Sequence, residues 1–215
     1  MTPMQPSNLR CEYFVDPIGI DAASPRMSWQ SDAARQSAYQ VVVDGTWDSE
    51  KVESDQSIHV AYAGSALRSR QRCEWKVRVW DGDGQPSQWS EPATFEMGLL
   101  DRADWRAKWI GSRLVGGPYS IPPTPYLRTA FTVAGPIKSA RLYVTALGLY
   151  RVSINGRRVG DAVFAPGRTD YDKRVPYDVF DVTAHVRAGD NAFEALLGDG
   201  WYSGHLHSDP RQRCL

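Results

Sequence analysis

The chain has 215 residues, and its 25 basic and 25 acidic side chains give a formal net charge of zero, which argues against nucleic acid and membrane surfaces as partners. Hydrophobic residues make up 42% and charged residues 23%, the range of ordinary globular proteins, so disordered and fibrous classes are excluded. The length is sufficient for two domains, each with a core of its own.

The cysteines and the N-terminal residues indicate in which cellular compartment the protein is expected. Cys11, Cys73 and Cys214 are odd in number and widely spaced, without a C-x-x-C pair, which predicts reduced thiols. Residues 1–10 lack the apolar core of a signal peptide, and no later stretch is long and apolar enough to span a bilayer. We therefore expect a cytoplasmic protein with no metal and no cofactor.

In the first half of the chain, short segments that alternate apolar and polar residues are separated by Gly, Pro, Asp and Ser, a pattern typical of β-strands. Strands are predicted at residues 27–30, 39–43, 57–62, 74–80 and 89–95. The clearest is 74–80, where Trp75, Val77 and Val79 share one face. A tight turn at 81–84 joins it to 89–95 as a hairpin, and the spacing predicts a β-sandwich of roughly 100 residues.

A domain boundary is predicted in the middle of the chain. Residues 101–111 contain Trp105 and Trp109 and are interpreted as a short bridge, and four prolines follow between residues 118 and 125. Proline lacks the N–H and fixes φ, so this region cannot sustain helix or sheet ladders. The predicted domains are 1–98 and 127–215, with a linker at 99–126.

The second half repeats the β pattern. Strands are predicted at 127–133, 139–145, 150–154, 157–159, 175–180 and 191–197. Between the third and fourth of these, Asn155 and Gly156 form the strongest short hairpin signal in the sequence. This order predicts a jelly roll or a related sandwich, so the whole chain is expected to be all-β with two β-sandwich domains.

Motifs in both halves resemble a known family. The first half contains CEY at 11–13, PRMSW at 25–29, AYQV at 38–41, WDS at 47–49, WKVRVWD at 75–81 and SQWSEP at 87–92. These motifs resemble the fibronectin-type segment that opens bacterial α-L-rhamnosidases. The second half contains NG at 155–156, VGD at 159–161, TDY at 169–171, KRV at 173–175, DVT at 181–183 and LGDGWY at 197–202. These motifs resemble the N-terminal jelly-roll domain of the same family. The resemblance covers nearly the whole chain in order.

This resemblance implies an inverting glycoside hydrolase that removes terminal α-L-rhamnose from glycosides. Its acidic catalytic residues lie on an (α/α)₆ barrel further along the family's chain, and no such region is found in these 215 residues. We therefore assign no catalytic residue here and expect the isolated chain to be inactive. The jelly roll is expected to be truncated at its C-terminal side, with the catalytic domain as a missing partner.

Two segments of the second half are candidate carbohydrate-binding sites for rhamnosides or a rhamnose-containing polysaccharide. Asp170 and Tyr171 offer a carboxylate and a ring, and the alternative is a turn stabilised by Asp170 beside a core tyrosine. Asp199 and Trp201 flank Gly200, so a carboxylate could accept hydroxyl hydrogen bonds while the indole stacks on a sugar ring. The alternative is a tight turn whose Trp201 packs against a neighbouring domain.

Other motifs are interpreted as structural or as chance. His205 and His207 lack a nearby third metal ligand, residues 81–84 form a hairpin turn with the wrong oxygen spacing for calcium, and Ser90 lacks a nucleophile's setting. Two rivals to the rhamnosidase interpretation stay open. One is a stand-alone carbohydrate-binding or adhesion module, and the other is a truncated gene product without function.

Overall fold

The computed structural model describes residues 4–113 and 123–203. The chain separates into two units, Met1–Arg106 and Ala107–Leu215, called unit 1 and unit 2 below. Nearly all regular structure in the described residues is β-strand, apart from a 3₁₀ turn at Arg102–Asp104 and a four-residue helix α1 at Gly200–Ser203. The all-β prediction is confirmed.

Unit 1 contains eight strands within its described residues. They are β1 (Ser7–Cys11), β2 (Ile18–Ile20), β3 (Arg26–Gln30), β4 (Gln36–Val43), β5 (Trp47–Asp48), β6 (Val60–Ala61), β7 (Arg72–Asp81) and β8 (Ala93–Met97). One sheet has the order β1-β3-β6 and the other β2-β8-β7-β4-β5, with only β2 and β8 parallel among these pairs. The two sheets form the β-sandwich predicted for this half.

The core of unit 1 lies between the two sheets. Along β7, Cys73, Trp75, Val77 and Val79 are buried while the intervening side chains are more exposed, as a two-residue side-chain period requires. Met27 on β3 and Phe95 on β8 are fully buried in the same cluster. Each fully buried side chain of this size contributes roughly 1.5–3 kcal/mol of hydrophobic stabilisation.

Two predicted strands of unit 1 differ most from the structure. The predicted strand at 57–62 is reduced to Val60–Ala61, and the one at 89–95 begins only at Ala93. The segment before Ala93 still runs beside β7, but Ser87 and Ser90 satisfy the backbone of β7 partly through their hydroxyl groups. A hairpin therefore follows the turn at 81–84, with a regular ladder only between β8 and residues 72–75 of β7.

The thiols of unit 1 belong to its core. Cys11 and Cys73 are free and buried, and burial raises the pKa of the Cys11 thiol to about 12. Because the thiolate is the reactive form, both side chains act as small apolar groups. Cys214 lies outside the described residues.

Unit 2 contains six strands within its described residues. They are β9 (Tyr126–Val133), β10 (Arg141–Val144), β11 (Leu149–Ile154), β12 (Arg157–Arg158), β13 (Asp178–Asp181) and β14 (Gly189–Gly198). A four-stranded sheet has the order β12-β11-β14-β9, and β10 pairs with β13 in a smaller sheet. Val152, Ile154 and Ala195 from the larger sheet share a core with Leu142 and Phe180 from the smaller one.

The turn between β11 and β12 confirms its sequence signal. Asn155 and Gly156 have φ of +53° and +74°, the left-handed values of a tight hairpin turn. The Asn155 side chain also donates to Asn191 Oδ1 and accepts from the N–H of Ala192, which ties the turn to β14. The strand predicted at 175–180 is instead Asp178–Asp181, so its first three residues form a loop.

The described residues contain no helix that is long and apolar enough to cross a membrane. The predicted linker at 99–126 stays a prediction, because residues 114–122 lie outside the part of the chain that the structure describes.

Candidate functional site

The candidate site lies in unit 2, where the end of β14 passes the start of β11. Leu149 pairs with Gly198, and Gly148 before it has φ of +105°. A Cβ atom on Gly148 would collide with the carbonyl oxygen of Gly198 and lie 2.8 Å from that of Asp199. This close approach requires glycine and fixes the position from which α1 begins.

Helix α1 carries two aromatic rings to the segment that precedes β13. The ring centroid of Trp201 lies 5.8 Å from that of Phe164, with an edge-to-face angle of 66°. The ring of Tyr202 meets Tyr171 at 5.3 Å and 84°. The two segments that the sequence nominated separately, 170–171 and 199–201, are therefore brought to one face of unit 2.

Backbone and side-chain hydrogen bonds anchor this segment to the sandwich. The carbonyl of Ala165, which precedes a cis peptide to Pro166, accepts from the N–H of Tyr150 on β11. The Tyr150 hydroxyl donates to Asp178 on β13. Burial, together with this hydrogen bond, raises the pKa of the Tyr150 hydroxyl, so that it remains a neutral donor.

Asp170 and Tyr171 occupy a turn before β13. The carbonyl of Asp170 accepts from the N–H groups of Lys173 and Arg174, and its carboxylate lies 3.0 Å from Lys173 Nζ. Asp170 is exposed, whereas Tyr171 is half-buried. The Tyr171 hydroxyl is shielded from solvent and makes no hydrogen bond within the described residues. The turn anticipated as the structural alternative for this pair is present.

Asp199 and Trp201 are both half-buried. The Asp199 carbonyl accepts from the N–H of Tyr202, so this residue opens α1. The helix is a single turn of four residues. The partner of Trp201 within unit 2 is Phe164, which the sequence analysis missed because nothing in the spacing of the two residues relates them.

The remaining motifs have structural roles. The Asp81 carboxylate accepts from the N–H groups of Asp83 and Gln85, as expected of a turn. The buried Ser90 hydroxyl accepts from the N–H of Val77. His205 and His207 lie outside the described residues, within which no group of three or more His, Cys, Asp or Glu side chains could hold a metal ion.

Two family models match the two units in turn. Residues 6–101 match a Rha78A-like N-terminal immunoglobulin domain, and residues 135–214 match the alpha-L-rhamnosidase N-terminal domain. The chain belongs to the N-terminal region of the α-L-rhamnosidase family. An α-L-rhamnosidase from Alteromonas sp. (strain LOR) is 40% identical over 94% of this chain, which covers 24% of that protein.

Solved rhamnosidase structures agree with this placement. The α-L-rhamnosidase from Dictyoglumus thermophilum is 38% identical, with a TM-score of 0.86 over 92% of this chain and 25% of that one. The Streptomyces avermitilis α-L-rhamnosidase complexed with L-rhamnose is 33% identical, with a TM-score of 0.51, and the match covers 92% of this chain and 22% of that one. The chain thus spans about a quarter of the length of these relatives.

Proposed function

We propose that this chain is the non-catalytic N-terminal portion of a longer inverting α-L-rhamnosidase, which removes terminal α-L-rhamnose from glycosides. The observation that carries the proposal is 40% identity over 94% of the chain to an α-L-rhamnosidase about four times as long, since the match covers 24% of that protein. In that polypeptide the two sandwiches serve as a scaffold, and unit 2 contributes to substrate recognition.

An inverting mechanism needs a carboxylic acid that protonates the leaving oxygen and a carboxylate that activates water, held roughly 6.5–9.5 Å apart. We assign neither group to this chain and place both in the remainder of the polypeptide. The contribution of residues 1–215 is then to bind and to position, without any step of bond cleavage.

The size of the native product tests this proposal. An immunoblot against unit 1 in the source cells should detect a product about four times larger than the 24.0 kDa of this chain. In parallel, purified residues 1–215 should not hydrolyse p-nitrophenyl α-L-rhamnopyranoside. A stable product of 24.0 kDa would favour a stand-alone carbohydrate-binding module, and a product degraded before it accumulates would favour a gene product without function.

For substrate recognition, we propose that Asp170, Tyr171, Asp199 and Trp201 form one rhamnose-binding surface. Two contacts support the proposal, because Phe164 orients the Trp201 ring while Tyr202 orients Tyr171. An oriented aromatic ring can pack on the apolar face of a pyranose, and carboxylates beside it can accept hydrogen bonds from the sugar hydroxyl groups.

Replacing Trp201 tests this surface. We expect Trp201→Ala to weaken L-rhamnose binding by about tenfold or more in a calorimetric titration, because stacking on one ring contributes on the order of 1–2 kcal/mol. Trp109→Ala removes an equally large but exposed indole outside the proposed surface and should leave binding unchanged. If circular dichroism shows that Trp201→Ala unfolds unit 2, the ring packs the domain instead. Unchanged rhamnose binding would remove Trp201 from the surface.

A further inference from the structure

Unit 1 presents an apolar patch that its own fold does not cover. The patch consists of Tyr13, Phe14, Val15 and Ile58, whose exposed fractions are 59%, 64%, 60% and 61%. These four are the large exposed apolar side chains within the described part of unit 1. The ring of Tyr13 lies 5.0 Å from that of His59, the neighbour of Ile58, so the two segments lie together.

The backbone that carries this patch is strained. Glu12, Tyr13 and His59 have φ of +48°, +72° and +59°, left-handed values that cost free energy in residues other than glycine. Such a conformation persists where the surroundings impose it, and it is found preferentially at binding and catalytic sites. Its effect here is to direct consecutive apolar side chains into solvent.

The strained turn is held by several hydrogen bonds. Cys11 and Phe14 exchange two backbone hydrogen bonds of 3.0 Å, and the N–H of Glu12 donates to the carbonyl of Arg26. The Glu12 carboxylate accepts from the backbone and guanidinium groups of Arg26, while Arg10 donates to the carbonyl of Tyr13. Because the turn is already ordered, docking it costs little conformational entropy.

The geometry favours a protein partner over a sugar. The Arg26 guanidinium lies 5.4 Å from the centroid of the Tyr13 ring, and the ring of His59 meets it edge to face at 86°. A pyranose needs an open ring face to stack on, and these neighbours occupy the surroundings of Tyr13. What remains accessible is a group of apolar side chains of the kind that anchors protein interfaces.

We propose that the patch docks unit 1 onto an apolar surface in the part of the longer rhamnosidase polypeptide outside residues 1–215. This inference rests on the proposed function. About three quarters of the Alteromonas relative lies outside the matched region, so a partner surface is available on the same polypeptide. Covalent connection keeps that surface at a high effective concentration, and a small patch is therefore sufficient.

Hydroxyl-radical footprinting with mass spectrometry tests the docking. Isolated residues 1–215 are compared with the intact polypeptide purified from the source cells. We expect oxidation of Tyr13 and Phe14 to be at least about tenfold slower in the intact polypeptide, because docking excludes water from the patch. Equal rates in a longer native product would overturn the docking and leave the proposed function intact. A native product of 24.0 kDa would overturn both.

Variants and sedimentation complete the test. Tyr13→Asn removes the ring and introduces a residue that readily adopts the left-handed backbone conformation. Phe14→Ser removes an exposed ring. Both variants should therefore leave the thermal unfolding of residues 1–215 unchanged. In the intact polypeptide each variant should at least double the rate at which protease releases unit 1, whereas Val163→Ser, at a side chain that is 72% exposed in unit 2, should not. Analytical sedimentation of residues 1–215 tests whether the patch instead binds a second copy of this chain. A dimer that Phe14→Ser abolishes would overturn the proposal.

Discussion

At the scale of single residues, Glu12 shows how one carboxylate holds a strained turn. Its side chain is largely buried and lies 2.6 Å from Arg26 Nη2. The hydrogen bonds with Arg26 lower the pKa of the Glu12 carboxyl from its ordinary value. Charge-assisted bonds of this bidentate kind are stronger than those of most surface ion pairs.

We predict that Glu12→Gln lowers the free energy of unfolding of unit 1 by about 1–2 kcal/mol at pH 7. Since the folded pKa lies below the unfolded one, the contribution is complete above the unfolded value of about 4.3 and is lost as the pH falls through the folded pKa. Urea unfolding at pH 7 and at successively lower pH should therefore show the gap between variant and wild type closing.

The exposed pair of Lys51 and Glu53 provides the control for this prediction. Its two charged atoms are 2.7 Å apart, but the Glu53 side chain is mostly in water. Glu53→Gln should change the free energy of unfolding by less than about 0.5 kcal/mol. A Glu12→Gln variant as stable as Glu53→Gln would show that the Glu12–Arg26 ion pair does not stabilise the turn.

At the scale of elements, the segment between β7 and β8 runs along a strand without being one. The N–H groups of Ser87 and Ser90 donate to the carbonyls of Val79 and Val77. In return their hydroxyl groups accept from the N–H groups of the same two valines, at 3.0 and 3.1 Å. Each serine thus supplies both halves of a ladder pair, which covers the edge of β7 that β8 leaves open.

Two cationic side chains of β7 contact tryptophan rings of β7 and of the serine segment. The Arg78 guanidinium lies 4.9 Å from the ring centroid of Trp80 and 4.8 Å from that of Trp89. Lys76 Nζ lies 5.2 Å from the ring centroid of Trp89. Such contacts contribute roughly 0.5–1 kcal/mol each at exposed sites, so the two with Trp89 help to hold the serine segment against β7.

We predict that Ser90→Ala lowers the free energy of unfolding of unit 1 by about 1–3 kcal/mol, because the buried N–H of Val77 loses its acceptor. Ser65→Ala is the matched control, since the Ser65 side chain is exposed. The measurement is chemical denaturation followed by tryptophan fluorescence. Equal midpoints for the two variants would mean that water replaces the lost acceptor.

The glycines beside the candidate site give a second prediction at this scale. A Cβ on Gly148 would collide with the backbone at Gly198 and Asp199, whereas a Cβ on Gly156 meets nothing within 4 Å. Both residues have positive φ. We expect Gly156→Ala to cost about 1 kcal/mol from backbone strain alone, and Gly148→Ala to cost at least about twice as much.

Rhamnose binding separates the two glycine variants further. Gly148→Ala should also displace α1 and so weaken binding, whereas Gly156→Ala should not, because its turn lies at the opposite end of β11. The two variants are compared by thermal unfolding and by calorimetric titration with L-rhamnose. If the Gly148→Ala variant still binds L-rhamnose with unchanged affinity, α1 does not contribute to the proposed surface.

At the scale of the whole molecule, unit 1 has a complete core within residues 9–97. We therefore predict that a fragment of residues 1–106 folds by itself and unfolds cooperatively in urea, with buried tryptophans such as Trp29 and Trp75 as fluorescent reporters. A fragment without a cooperative transition would show that unit 1 depends on the rest of the chain. The same fragment should not bind L-rhamnose, since the proposed surface belongs to unit 2.

Much of the fold could be predicted because strand signals are local. Alternation along 74–80 identifies both the strand and its inward face, since successive side chains point to opposite faces of a sheet. Asn155 and Gly156 identify their turn because few residues adopt left-handed φ readily. Short strands such as β2 and β5 were missed, because three or two residues are too few to show a period.

Contacts between residues far apart in the chain were decided only by the tertiary structure. The sequence determined the all-β class and the family, and it nominated 170–171 and 199–201 separately. Only the packed sheets bring Tyr171 to Tyr202 and Trp201 to Phe164. Likewise, only the finished sheet shows that serine hydroxyls complete the edge of β7. Local patterns select elements, whereas contact partners depend on how the elements pack, which no single segment encodes.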